Sequence, residues 1–559
     1  MATGILGRLA WLAALICVGP ILAAALAALT GDLNTWTGLI RSVLPGYALN
    51  TLLLVVLVGL GTAAIGTGAA WLVTMYRFPG SRILDVLLVL PLAFPAYVLA
   101  YAYTYFLQHS GPVQTGLRDL TGLGPRDYWF PDVQSLPGAA LMLIFVLYPY
   151  VYLLVRTAFS EQSRNAYYAA RTLGQSSWGA FSSVSLPMAR PAIAGGALLC
   201  VMETIADYGT VSYFAVQTFS TGIYQAWFSM GDRGAAAQLA LCLLSFALLL
   251  AIAERVQRGR AKVYMRNSQK DVYAPHPLRG PSGLFAFAFC FMPVLMGFLL
   301  PLVILLEMAI GSGQNPFEPR YVDLVMNSLT LAGVAALVTI CGAVLISFRS
   351  RTSPGPSARL MTLGAGLGYA VPGGVIAVGI LVPLASLDNV LAEWIRAAFG
   401  VNPGLIFTGS IWVLVLAYMS RFMAAGLNTL EAGYATVSPS LDAVARTLGQ
   451  SQLGLLIRVH LPILKGSILT AILIVFVDTM KELPATMIMR PFNFDTLAVQ
   501  AHRLAADERL HQAAVPSLVI VAVGLLPVFL VCRQLSRSSS SAAPETVSEA
   551  PRNTSLPQG

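Results

Sequence analysis

Twelve apolar runs, each long enough to cross a membrane, dominate the sequence. The hydrocarbon core of a bilayer is about 30 Å thick and requires about 20 apolar residues per helix. With 57% hydrophobic and only 11% charged residues, the 559-residue chain has too few charges to cover a soluble surface of that size. We therefore expect an all-α membrane protein with about twelve transmembrane helices. The runs centre on residues 9–29, 49–74, 84–107, 137–158, 192–215 and 235–253, and then on 285–310, 326–348, 360–386, 404–427, 467–489 and 513–532.

The positive charge is concentrated between the runs, most of all after the sixth. Lysine and arginine favour cytoplasmic loops, so this basic stretch predicts a cytoplasmic linker. Alternation from there places both termini inside. Because topology accounts for the net charge of +9, we expect membrane lipid and no nucleic acid as a partner. The basic residues of the linker are Arg255, Arg258, Arg260, Lys262, Arg266, Lys270 and Arg279.

A polar segment occurs twice on the predicted cytoplasmic side. It reads Arg-Thr-Leu-Gly-Gln-Ser at 171–176 and again at 446–451, and each copy is followed by Leu-Pro, at 186–187 and 461–462. The copies are 275 positions apart. The glycine of each copy can end one helix, the serine can cap the next, and the proline suits the start of a membrane helix. The segment predicts a short helix-turn-helix joined stiffly to a membrane span. An amphipathic interfacial connector is the plainer alternative, but an identical core in equivalent places favours a shared docking role.

Other matches at nearly the same offset indicate a duplicated unit. Asn50 and Asn327 each open a run, and Pro95 and Pro372 interrupt the third and ninth runs. Since both copies carry the repeated segment on the same side, we expect two parallel six-helix repeats about an axis along the membrane normal, with a pathway between them. The predicted domains are repeat 1–254 with its polar segment at 159–191, linker 255–284, repeat 285–533 with its polar segment at 428–466, and a disordered tail at 534–559.

The repeated segment resembles that of the permeases of ATP-binding-cassette importers, whose pattern is Glu-Ala-Ala, three residues, Gly, about nine residues, and then a hydrophobic residue before x-Leu-Pro. The resemblance covers nearly the whole chain and implies the fold of a type I importer permease. It also implies that each segment is a coupling helix, which docks on an ATPase subunit. The chain departs from the pattern at the glutamate, where Tyr168 and Ala443 stand. The residues that the resemblance assigns to coupling are Arg171, Gly174, Gln175 and Pro187, and Arg446, Gly449, Gln450 and Pro462.

The ATPase is expected on separate chains. A phosphate-binding loop requires Gly-Lys-Ser/Thr, and none of the four lysines of this sequence follows a glycine. We therefore expect no enzymatic activity, no cofactor and no resident metal on this chain. The resemblance implies two copies of a separate ATPase subunit, and ATP and Mg belong to that partner.

Ionisable residues lie inside the fifth and eleventh runs at equivalent positions. Glu203 corresponds to Asp478, and Asp207 to Glu482. Members of each pair are four residues apart, which places both carboxylates on one face of a continuous helix. Charges at this depth usually face a partner or an aqueous cavity. Together with Lys481 they either line a pathway for a cationic or metal-bearing substrate or form a structural network with some acids protonated.

These two segments also resemble the ferric-iron subgroup of the importer permeases, which are fused twelve-helix proteins. The resemblance implies a periplasmic ferric-binding protein outside, an ATPase dimer inside and a bacterial inner-membrane location. Related fused permeases transport thiamine or phosphonates, so the resemblance does not decide the substrate. An ion-driven secondary transporter also uses repeats and buried acids, but it offers no reason for the repeated segment. A membrane-embedded enzyme is disfavoured, since no nucleophile motif or clustered His/Asp set occurs in the sequence.

Overall fold

A computed structural model describes residues 4–29, 32–161, 164–264, 276–315, 318–435 and 437–540. Its helices in the first half are α1 (Ile5–Leu29), α2 (Leu33–Ser42), α3 (Leu44–Met75), α4 (Ser81–Leu87), α5 (Ala96–Leu107), α6 (Pro112–Thr121), α7 (Leu136–Glu161), α8 (Arg164–Thr172), α9 (Ser177–Ala180), α10 (Leu186–Ala206), α11 (Gly209–Tyr213), α12 (Phe219–Tyr224) and α13 (Arg233–Tyr264). A two-residue strand β1 (Tyr76–Arg77) pairs in parallel with β2 (His276–Pro277).

The second half repeats this order. It contains α14 (Pro281–Val294), α15 (Leu300–Gly311), α16 (Pro319–Thr352), α17 (Pro356–Ala365), α18 (Gly373–Phe399), α19 (Ile411–Tyr434), α20 (Pro439–Thr447), α21 (Gln452–Leu455), α22 (Leu461–Lys481), α23 (Pro484–Met489), α24 (Leu497–Ala506) and α25 (Leu510–Ser540). Helices α7 to α10 and helices α19 to α22 begin 275 residues apart, element by element. The duplication read from the sequence is therefore a duplication of structure.

The predicted number of membrane spans is confirmed. Eleven described helices are long and apolar enough to cross a membrane, and a bent pair raises the number to twelve. That pair consists of Ser81–Ala93 and Ala96–Thr121, which meet at 93°. Pro95 lies at the bend, and Phe94 before it is extended, because proline disfavours helix in the residue before it and supplies no N–H.

Each half packs its first helix against the other half. Helix α1 lies against α16 to α19, and Pro20 O approaches α18 so closely that a Cβ at Gly379 would lie 1.9 Å from it. In the reverse direction, α14 and α15 pack on α3 to α5. Tyr103 on α5 donates a hydrogen bond to Met296 O between α14 and α15 (2.6 Å). The two halves are therefore interlocked rather than merely adjacent.

The predicted domain ends require two changes. Helix α25 continues to Ser540, so the disordered tail predicted from residue 534 does not begin there. The predicted linker 255–284 is helical up to Tyr264 and extended at His276–Pro277. The remaining parts of both predictions, at 265–275 and 541–559, lie outside the described residues.

Candidate functional site

The first repeated segment forms a hairpin of two short helices. Helix α8 ends at Thr172, and Gly174 follows with a φ of 90°, a left-handed conformation that favours glycine. Ser176 then caps α9, its Oγ accepting from the N–H of Gly179 (3.0 Å). Arg171 donates to the carbonyl of Gln175 (2.7 Å), and this bond closes the turn. The predicted helix-turn-helix and its serine cap are present.

The second segment has the same local structure. Gly449 has a φ of 76°, and Ser451 Oγ accepts from the N–H of Gly454 (3.1 Å). In each hairpin the N–H after the glycine bonds a carbonyl on the preceding helix, Gln175 to Ala170 and Gln450 to Ala445, both at 3.1 Å. Identical sequence cores thus produce identical turns, and both turns face outward from the molecule.

Both hairpins expose large apolar side chains beside their polar ones. Leu173 is 84% exposed and Trp178 is 73% exposed, and their counterparts Leu448 and Leu453 are 75% and 53% exposed. Arg171, Gln175 and Arg446 are exposed in the same region. Exposed apolar groups ringed by polar ones are typical of protein interaction sites. The segments therefore have the composition of docking surfaces.

The join between each hairpin and its membrane helix contains no break. Proline disfavours helix in the residue before it, but Ser185 and Leu186 before Pro187 are helical. A single π-helical turn, Phe181–Ser185 in one half and Leu456–His460 in the other, accommodates each proline within one continuous helix. The unbroken helical runs Ser177–Ala206 and Gln452–Lys481 make the mechanical connection stiffer than expected.

Inside the membrane the fifth and eleventh runs are broken, contrary to the expectation of continuous helices. Helix α10 ends at Ala206, and Asp207 is extended, with φ −68° and ψ 133°. The Asp207 carboxylate then accepts from the N–H groups of Thr210 and Val211 (both 3.1 Å) and from the Thr210 hydroxyl (3.0 Å). Its side chain therefore caps the first turn of α11 from the position before Tyr208. Glu203 and Asp207 therefore do not share one helix face.

Glu482 has the same role in the second half. Helix α22 ends at Lys481, and the Glu482 carboxylate accepts from the N–H groups of Ala485 (2.8 Å) and Thr486 (3.1 Å) and from the Thr486 hydroxyl (2.8 Å). Two of the four predicted pathway acids are thus occupied by backbone and hydroxyl donors. Pro484 was the signal for this break, since it lies within the run that we read as one helix.

The other acids belong to a mixed cluster at the meeting of the two halves. Asp478 interacts electrostatically with Lys481, Glu203 and Arg421. Lys481 also donates to the carbonyl of Leu92 in the first half (2.7 Å). Sequence reasoning missed Arg421, which lies within the apolar run 404–427 and is the second basic group here. Two acids that are not caps therefore face two bases, and the cluster is less acidic than predicted.

Beside this cluster, the break after α10 and the break after α22 are in direct contact. A Cβ at Gly209 would lie 2.8 Å from Tyr97 Cβ and 2.9 Å from Leu483 Cδ2. Leu483 is fully buried and Tyr97 is 5% exposed. The Tyr97 hydroxyl donates to the carbonyl of Lys481 (3.4 Å). Glycine is therefore required at 209 because backbone and side chains of both halves meet there without a gap.

The tyrosines around this contact are packed and bonded within the protein. Tyr101 is fully buried and bonds Nδ1 of His502 (2.8 Å), and Tyr208 stacks on Tyr224 with 3.6 Å between ring centroids. Burial lowers the pKa of His502 to about 4, so the ring is neutral at physiological pH. His502 is therefore a buried and neutral residue. Within the described ranges, no group of three or more His, Cys, Asp or Glu side chains is placed to hold a metal ion.

Comparison with known proteins matches this architecture to importer permeases. Residues 62–263 match the family model described as "Binding-protein-dependent transport system inner membrane component". The chain is 24% identical over 489 residues to the Fe(3+)-transport system permease protein FbpB 2 of Haemophilus influenzae, covering 86% of this chain and 88% of that protein.

Two further relatives differ from each other in length and in the substrate for which they are named. The ferric transport system permease protein FbpB of Actinobacillus pleuropneumoniae is 23% identical over 79% of this chain and 64% of its own. The molybdenum transport system permease protein ModB of Escherichia coli K12 is 28% identical over 34% of this chain and 85% of its own. The chain therefore contains a domain that matches the binding-protein-dependent transport family, has duplicated helices, and is similar over most of its length to a long ferric-transport permease.

Proposed function

We propose that this chain is the membrane subunit of an ATP-driven importer that receives ferric iron from a periplasmic binding protein and releases it into the cytoplasm. One observation carries the proposal. Two exposed hairpins of identical construction, on equivalent helices of two repeats, provide matched attachment points for two copies of a second protein. The location that follows is the bacterial inner membrane, with both termini and both hairpins in the cytoplasm.

The partner on these hairpins is the ATPase subunit. Leu173 and Trp178 in the first hairpin, and Leu448 and Leu453 in the second, supply the apolar contact. Arg171, Gln175, Arg446 and Gln450 surround it with polar groups. ATP and Mg are bound by that partner. Since each hairpin continues through a π turn into a membrane helix, movement of the ATPases is transmitted to α10 and α22 without a flexible joint.

The cargo route in this proposal runs between α10 and α22. Glu203 and Asp478 are half-buried carboxylates from the two repeats, and neither of them caps a helix. They lie where the repeats meet, close to Lys481 and Arg421. Asp207 and Glu482 support the route because each accepts hydrogen bonds from the short helix that follows a helix break and so fixes its position. Iron is the favoured cargo because the relatives that span most of this chain are named for ferric transport.

An oxyanion is a second candidate cargo, supported by one specific observation. Arg421 Nη1 is buried and has no hydrogen-bond partner within the part of the chain that the structure describes. A guanidinium group that interacts with the same carboxylate as Lys481, that of Asp478, suits an anion, and a 202-residue stretch of the chain resembles a permease named for molybdenum transport.

Metal uptake in a strain deleted for this gene separates these candidates. We expect the wild-type gene to restore accumulation of radioactive ferric iron, and molybdate and sulfate not to compete with it. Restored accumulation of molybdenum instead of iron would establish the oxyanion cargo. Uphill transport by the purified chain, reconstituted without an ATPase, would overturn the whole proposal and indicate a secondary transporter.

A further inference from the structure

The second coupling helix is tied to the membrane helices by a buried charged network. Asp442 lies on α20. Its Oδ2 accepts from Nε of Arg351 (3.0 Å), and its Oδ1 bonds Nε2 of His460 (2.9 Å). The other imidazole nitrogen bonds the Tyr434 hydroxyl (3.1 Å). Arg351 also donates to the carbonyl of Val437 (2.9 Å) and lies over the Tyr434 ring. His460 is fully buried and Asp442 is 8% exposed.

This network joins the second hairpin to three elements that lie beside it. Arg351 lies in the last turn of α16, Tyr434 is the last residue of α19, and His460 closes the π turn before α22. Asp442 bonds to groups from two of these elements, Arg351 of α16 and His460 of the π turn. Removing its charge would leave the partly buried guanidinium of Arg351 without its carboxylate and the buried His460 without an ionised partner, which is costly.

The first coupling helix is held by different chemistry at the same positions. At the 275-residue offset, Tyr76, Phe159, Tyr167 and Ser185 stand in place of Arg351, Tyr434, Asp442 and His460. Tyr167 packs edge-on against Trp71, with 5.6 Å between centroids, and Trp71 also contacts Phe159 and Phe181 at 5.3 and 4.5 Å. Burial, and then a hydrogen bond with Tyr167, raises the pKa of Tyr76 to about 12. The first attachment is therefore an uncharged aromatic cluster.

We propose that Asp442 is a positioning residue for ATPase coupling, which fixes the second coupling helix to α16 and α22 through Arg351 and His460. It stands one position before Ala443, where the importer pattern has its glutamate. The two coupling helices are thus fastened unequally, one by directional charged bonds and the other by aromatic packing. The role in coupling rests on the proposed function, whereas the fastening itself is a property of this chain alone.

Hydrogen–deuterium exchange on the full-length chain in lipid nanodiscs tests the fastening. In Asp442→Asn, amides of residues 441–448 are expected to exchange at least about tenfold faster, since a hydrogen bond to a charged group contributes about 1.5–3 kcal/mol. His460→Gln and Arg351→Gln should each have a smaller effect in the same direction. The double variant Asp442→Asn with Arg351→Gln should be no worse than Asp442→Asn.

The first hairpin provides the internal control. Residues 169–173 should exchange at the wild-type rate in all these variants, and Tyr167→Phe, at the position equivalent to Asp442, should not alter residues 441–448. If Asp442→Asn does not assemble, His460→Gln decides the outcome. Unchanged exchange in residues 441–448, or fully additive effects of the Asp442 and Arg351 substitutions, would overturn the proposal.

Reconstitution with the partner ATPase and binding protein tests the coupling role. Asp442→Asn should lower cargo moved per ATP hydrolysed by at least about tenfold while ATPase binding is retained, and Tyr167→Phe should not. Normal cargo per ATP in Asp442→Asn would remove the coupling role. If the wild-type chain itself fails to bind any ATPase, the proposed function is wrong and the exchange result still stands on its own.

Discussion

Asp207 and Glu482 show that the role of a carboxylate within the membrane depends on whether the helix continues past it. Both acids were visible in the sequence, and both lie at the predicted depth, but each ends a helix and caps the next. Their spacing of four from Glu203 and Asp478 indicated a shared helix face, which holds only while the helix continues. Gly209 and Pro484, each two residues further on, carried the information that it does not.

Replacing the acids by amides should therefore distinguish those that cap a helix from those that do not. Glu482→Gln keeps the shape but loses charge-assisted acceptors, so we expect a loss of about 1–2 kcal/mol in stability and a lower apparent Tm in detergent. Glu203→Gln should leave the Tm unchanged and reduce iron uptake. A normal Tm for Glu482→Gln, with uptake lost, would show that Glu482 acts in transport and not as a cap.

The buried neutral His502 predicts a pH dependence of stability. Its pKa is about 4 in the folded protein and about 6.5 in an unfolded chain. Between these values the unfolded state binds the proton and the folded state does not, so stability falls as the pH drops below about 6.5. At pH 5 the loss is about 2 kcal/mol. Apparent Tm values at pH 7 and pH 5 should therefore differ more for the wild type than for His502→Gln, and equal differences would contradict this origin.

At the scale of elements, the sequence was most informative where a turn depends on glycine. The hairpins were predicted because Gly174 and Gly449 recur with a following serine, and both glycines have left-handed φ values. The π turns before Pro187 and Pro462 could not be predicted, because a π turn has no strong residue signature and depends on how the neighbouring helices pack. The Asp442 network was missed for a related reason, since its partners come from distant parts of the chain.

Valine at both hairpin glycines should uncouple the protein without unfolding it. Nothing lies within 4 Å of a Cβ at Gly174 or Gly449, so the cost is backbone strain alone, about 1–2 kcal/mol per site. We expect normal insertion and at least a tenfold fall in uptake. Alanine at Gly195 and Gly466 is the matched control, because space is equally open there but φ is not left-handed. Retained uptake in the double valine variant would count against coupling at these turns.

At the scale of the whole molecule, the duplication could be predicted but the interlocking could not. Sequence similarity between the halves gives the repeat and its offset, whereas the exchange of first helices depends on contacts such as Gly379 against Pro20. Apolar helices of similar composition can pack in several orders, and only the close approach of small residues selects one.

Interlocking predicts that the two halves will assemble after the chain is cut. Separate expression of residues 1–268 and 269–559 should yield halves that co-purify, since α1 packs on the second half and α14 and α15 pack on the first. Gly379→Leu should abolish co-purification, because Pro20 O leaves no room for a side chain. Gly333→Leu, where nothing lies within 4 Å of a Cβ, is the control. Halves that remain apart with the native glycine would contradict the interlocked arrangement.

The contact of Gly209 with Tyr97 and Leu483 has a consequence for the cell. A membrane that stores energy as a proton gradient tolerates no permanent hole. Under the proposed function, this close packing is what keeps the resting cargo route closed to protons.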